Sequence, residues 1–278
     1  MADLAGAFAT PHFPQAPAEV AREGPRSQIA SLFSAVRAEV DAVDPDVLVM
    51  FDTDHFATWF YDRMPTFSVG VADRTAGPGT DEWPGLPSYE IPVQAALGRY
   101  LHRTGIRNRF DLTLSEEFGV DHSIVVPLHF LNADMRRPIV PVWINGMAPP
   151  LPLAQRCFEL GAMVGEAIRA WPEPLRVGVL ASCSVSGEIG GSRALPGRPY
   201  AAADEAWVQH VSGRITRGEV DELLNEATEE RMLEVGNVTG EMLNLIALLG
   251  AVGGRRPRFL EPLYAFGGNV YGSWRWDR

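Results

Sequence analysis

The chain has 278 residues, 46% of them hydrophobic, and a formal net charge of −11, so it is long enough to bury a large core. That charge disfavours nucleic-acid binding, since phosphate contacts need clustered cations and the richest basic group is only Arg255-Arg256-Pro-Arg258. No apolar tract is long enough to suggest a membrane span, Met1–Phe8 lacks the basic start of a secretory signal, and two cysteines cannot build a disulfide framework, so a cytoplasmic protein acting on a small molecule is expected.

An apolar N-terminal segment reads as a first strand ending at the "ATPHFP" turn. A helix follows over 27–43 and a buried strand over 47–51. The Gly-, Pro- and Asp-rich stretch 71–89 reads as a loop able to cover a pocket. Helical spacing resumes over 91–104, then a strand over 138–144 ("PIVPVWI"), a helix over 152–170 and a strand over 175–181 ("LRVGVLA"). A second turn-rich loop spans 187–200, and helices are expected over 221–233 and 240–249. Short β-branched runs alternating with amphipathic stretches predict an α/β fold. The expectation is a single domain over 1–278, with a central mixed β-sheet flanked by helices on both faces.

Six histidines are candidates for chemistry. His102 and His210 fall in polar helical surroundings and read as ordinary surface residues. His12 sits between two prolines that restrict its backbone, which suits a metal ligand. His55, in "FDTDHFATWFY", follows the carboxyl end of a buried strand, where open α/β sheets place their ligand loops. Asp52 or Asp54 could orient its ring, and the alternative is an Asx turn within an aromatic cluster. His122 follows Asp121 in "FGVDHSIVVPLHFL" and is equally explained as an incidental residue at a helix start capped by Asp121 or Ser123. His129 lies seven residues on and reads first as a packing residue. Glu241 opens a nearly apolar helix, either as a partner of the helix dipole or aimed into a pocket, with Gly236 and Gly240 permitting close backbone approach.

Taken in order, "TPHFP", "DTDHFATWFYDRMPTFSVG", "FGVDHSIVVPL", "RRPIVPVWINGMAPPLP" and "GNVTGEMLNLIALLGA" resemble the class III extradiol ring-cleavage dioxygenases. This is the superfamily of the protocatechuate 4,5-dioxygenase catalytic subunit and of the single-chain 2,3-dihydroxyphenylpropionate dioxygenases. The resemblance runs from residue 10 to residue 251. It implies an Fe(II) cofactor held by His12, His55 and Glu241, a catecholic or hydroxypyridone-like substrate cleaved with O₂, and an acid–base role for His122. Trp59–Tyr61 are expected to wall the cavity. The chain departs from the family in one place, because the second acid–base histidine of a Gly-Gly-Leu-Ser-His run falls on Gly187 of Cys183-Ser-Val-Ser-Gly187. Either His122 takes both roles, or a neighbour such as Glu188 or His129 substitutes, or the substrate ionises without much assistance, and the last two are the expected readings. The alternatives are a binding protein that keeps the fold and a zinc-dependent hydrolase on the same ligands. Self-assembly into a homo-oligomer is expected.

Overall fold

The computed structural model describes residues 1–191, 193–198 and 200–276. In chain order its elements are β1 (Asp3–Thr10), α1 (Ala16–Glu23), α2 (Gln28–Val43), β2 (Val47–Asp52), β3 (Phe67–Gly70), β4 (Arg74–Gly77), β5 (Tyr89–Pro92), α3 (Ala95–Arg107), β6 (Thr113–Ser115) and α4 (His122–Leu131). The second half adds β7 (Ile139–Ile144), α5 (Ala154–Ala170), β8 (Arg176–Ser182), α6 (Glu205–Arg217), α7 (Val220–Glu226), α8 (Glu229–Val235), α9 (Met242–Ala251), β9 (Phe259–Leu263) and β10 (Asn269–Trp274).

Eight strands form one mixed sheet in the order β6-β3-β7-β2-β8-β1-β10-β9, and β4 pairs with β5 beside it. The central four, β7, β2, β8 and β1, run parallel, and β3 and β10 join them antiparallel on either side. The central strands are apolar without alternation because both of their faces are covered. On one face Val47, Val49, Val140, Val142, Val177 and Val179 pack with α3, α5, α6 and α9. On the other, Leu48, Met50, Ile139 and Leu180 meet α2 and α4.

The expected α/β architecture is therefore present, with local corrections. The helix expected over 221–233 is two helices, because Thr228 accepts a hydrogen bond from the Arg231 backbone N–H and caps a fresh start. The helix expected from residue 91 begins at Ala95, its first residues being drawn into pairing with β4. The stretch 71–89 contains strand β4 as well as loop, and β10, not expected as a strand, lies fully buried beside β1.

Parallel strands point their carboxyl ends the same way, so Thr10, Asp52, Ile144 and Ser182 finish along one edge of the sheet. In open α/β sheets that edge is where ligands bind.

Candidate metal centre

His12 and His55 leave the edge just after β1 and β2, and Glu241 arrives from the opposite direction in a single 3-10 turn, Thr239–Glu241, that runs into α9. Glycine makes that arrival possible: a Cβ on Gly240 would overlap the carbonyl oxygen of Gly146, so the two backbones cross in direct contact. Asn244, one turn into α9, donates to Thr53 Oγ1 (3.0 Å) and to the Ser182 carbonyl (2.9 Å), which pins the helix beneath the ends of β2 and β8.

Three residues far apart in sequence thus converge. Glu241 Oε2 lies 3.2 Å from His12 Nε2, and Glu241 Oε1 lies 3.0 Å from His55 Nε2. His122, the first residue of α4, joins them, its ring centroid 4.5 Å from that of His55 and 5.7 Å from that of His12. Nitrogens of the three histidines lie within 4.8 Å of one another, so His12 and His55 could hold a metal with either Glu241 or His122 as the third donor.

Hydrogen bonds behind the cluster orient its rings. Ser182 Oγ donates its only proton to the Ser123 carbonyl (2.5 Å), so toward His12 Nδ1 (2.8 Å) it must accept. His12 therefore carries a proton on Nδ1, and Nε2 is the atom turned to the Glu241 carboxylate. Burial holds His12 below its ordinary pKa against the opposing pull of Glu241, in keeping with a neutral ring. Burial would push Glu241 up, but His12 and His55 outweigh it and hold the carboxyl well below the usual range. A buried carboxylate between two imidazoles calls for a positive charge, carried by a proton or a metal ion, shared among them.

His55 is pushed down by burial and more strongly up by Asp121 and Glu241, so this spot too favours positive charge. Its ring is flanked by Asp121, with Oδ2 3.5 Å from Nδ1 and accepting from the His55 backbone N–H at 2.7 Å. The sequence reading gave that role to Asp52 or Asp54. Asp54 instead accepts from the Thr58 (3.0 Å) and Trp59 (3.1 Å) backbone and closes a turn. Asp52 meets Ser123 Oγ at 2.9 Å, and Ser123 also bonds Asp121. One hydroxyl proton cannot serve two carboxylates. Burial, then the Asp121 charge, raise Asp52 well above its usual pKa, so Asp52 supplies the second proton and Asp121 stays ionised.

His122 is held differently. Asp81 Oδ2 accepts from Nδ1 at 2.5 Å and from the His122 backbone N–H at 3.0 Å, while Trp83 Nε1 donates to Asp81 Oδ1 at 2.6 Å. Both residues come from the stretch 71–89, and sequence reasoning singled out neither. The aspartate three residues before Pro84 had no local pattern to mark it.

The other expected site residues are placed apart from the cluster. Glu188 lines the same cavity, but Arg193 binds its carboxylate (Nε to Oε2, 2.6 Å) and lowers its pKa. His129 is bonded through Nδ1 to Tyr89 Oη at 2.7 Å and is not in the cavity wall. Phe60 and Tyr61 are exposed and Trp59 packs on Trp143, so the aromatic wall is Phe13, Trp83, Tyr200 and Phe266 instead. The cavity holds about 250 Å³, the scale of a single-ring ligand. Gly187 borders it, and a Cβ there would press on Val238.

Residues 6–270 match the family model for the catalytic LigB subunit of aromatic ring-opening dioxygenase. The chain belongs to this family. A 2,3-dihydroxyphenylpropionate/2,3-dihydroxicinnamic acid 1,2-dioxygenase of Xanthobacter autotrophicus is 30% identical over 226 residues, covering 81% of this LigB-family chain and 67% of that protein. An Escherichia coli enzyme of the same name is 33% identical over 139 residues, so the match spans half of this chain and less than half (43%) of that relative. Among solved structures, the uncharacterized Escherichia coli K12 protein JW3007 aligns with a TM-score of 0.57 over 97% of this chain and 99% of its own. At 14% identity that likeness concerns the LigB-type fold alone.

Proposed function

We propose that the protein is a non-haem Fe(II)-dependent extradiol dioxygenase that opens the ring of a catecholic or hydroxypyridone-like substrate with O₂. The observation that carries this reading is the convergence of His12 Nε2 (3.2 Å) and His55 Nε2 (3.0 Å) on the buried carboxylate of Glu241. Two imidazoles plus one carboxylate suit ferrous iron with positions left for other ligands. When bound, the metal would gather diol and O₂ and let electron density pass between them.

His12, anchored by Ser182, and His55, flanked by Asp121, would hold the ion through Nε2, and Glu241 through its carboxylate. The Phe13 and Phe266 rings, stacked at 5.0 Å, would keep water from the substrate ring. His122 is the acid–base group: with Nδ1–H bound to Asp81, its Nε2 is free to take a proton from a substrate hydroxyl and return it to oxygen.

Gly187 brings no side chain to the cavity, Glu188 is neutralised by Arg193 and His129 is engaged elsewhere, so one histidine serves where the family pattern has two. A ring whose hydroxyl ionises readily, such as a 3-hydroxy-4-pyridone, asks least of a single base. The exposed aromatic pair Phe60 and Tyr61 supports assembly as a homo-oligomer, which sedimentation would reveal.

Metal analysis of anaerobically purified protein, followed by O₂ uptake on adding catechols or 3-hydroxy-4-pyridone, tests the reading. Iron with diol-dependent uptake is expected. Bound zinc without O₂ uptake would sink it in favour of hydrolysis, and a clear preference for plain catechol would remove the hydroxypyridone preference alone.

A further inference from the structure

The cavity over the metal centre has walls nearly free of charge. Phe13, Trp83, Tyr200, Val238 and Phe266 make them mostly apolar, and Gln15, Ser184 and Asn269 add only neutral polar groups. Outside the His–Glu cluster the one carboxylate in the lining is Glu188, and among the described residues no arginine lines the cavity. The chain contains no lysine at all.

The nearest candidate cation is already spent. Arg193 directs Nε to Glu188 Oε2 at 2.6 Å, its Nη2 also contacts that carboxylate, and Nη1 donates to the Glu234 carbonyl at 2.9 Å. Each of its three nitrogens already holds a protein acceptor, its charge is paired with Glu188, and it does not line the cavity. Arg198 is exposed, donates to Tyr200 Oη at 3.1 Å and does not reach the lining. A substrate carboxylate entering here would lose hydration against apolar rings without gaining a counter-charge, beside Glu188 and within a protein of net charge −11.

We propose that this site selects uncharged diols, with apolar or neutral ring substituents, and discriminates against the acid side chains that appear in the names of its relatives. This rests on the dioxygenase reading of the same site and specifies its substrate class. Ile189 stands at the rim, half exposed, and is the position where a cation is introduced with least disturbance.

The test compares 2,3-dihydroxyphenylpropionate with its propionamide, which has nearly the same shape but no charge. Binding to the iron-loaded protein is measured anaerobically by calorimetry, so the readout does not depend on turnover. The amide is expected to bind about tenfold or more tighter than the acid at neutral pH, and Ile189→Arg to narrow or reverse that gap. Equal or tighter binding of the acid overturns the charge preference while leaving the dioxygenase reading intact. If neither compound nor simple catechol binds, the dioxygenase reading itself fails and this one with it.

Discussion

Asp81 grips His122 twice with one oxygen, accepting from the ring Nδ1 at 2.5 Å and from the backbone N–H at 3.0 Å. A carboxylate so placed fixes the tautomer and the orientation of the imidazole. Asp81→Asn, which keeps the shape and loses the charge, is expected to lower kcat by about 10- to 100-fold with little change in KM or iron content. Asp81→Glu should recover part of the loss. Parallel changes in KM, iron content and melting temperature would point to a merely structural contact.

His55 and His122 sit side by side, yet their substitutions should differ in kind. His55→Ala is expected to abolish iron retention, since it removes a donor flanked by Asp121. His122→Ala should retain iron and lose about 10²- to 10⁴-fold in turnover, the usual contribution of a general acid–base group. Elemental analysis beside steady-state rates separates them. Loss of metal from both variants would favour the three-histidine set over Glu241.

Removing the metal should weaken the fold as well as the chemistry. Glu241 and Asp121 are buried and ionised, so chelation would leave their charge poorly compensated. Because an ion that binds only the native state stabilises it by mass action, the melting temperature should fall by about 5 °C in a chelator and recover with added Fe(II). An unchanged melting curve, with metal loss verified, would show that the carboxylates are balanced internally.

Helix α9 carries Glu241 at its start and lies against α5 at backbone contact. A Cβ on Gly161 would overlap the Ala247 carbonyl oxygen, an obstacle that no side-chain rotation relieves. Gly161→Ala should therefore destabilise by about 1–3 kcal/mol in denaturant titration, despite the better helix propensity of alanine. A shift of α9 should also weaken metal binding. A neutral or stabilising result would mean that the two helices separate easily.

The sequence by itself determined the α/β alternation, because strands covered on both faces must be apolar throughout, and it marked "ATPHFP" and the stretch around His55 as ends of such strands. It also brought out Glu241, an ionisable group at the start of a helix whose buried residues are nearly all apolar. Tertiary structure alone decided that these groups meet: strand order and the Gly146–Gly240 crossing are set by packing between segments nearly 100 residues apart, which no local period encodes. The same holds for the support around the cluster. Asp121 rather than Asp52 flanks His55, Asp81 reaches His122 from a loop 41 residues away, and Arg193 cancels Glu188, because side-chain pairing follows proximity in space and a carboxylate looks alike in sequence whichever cation it will meet.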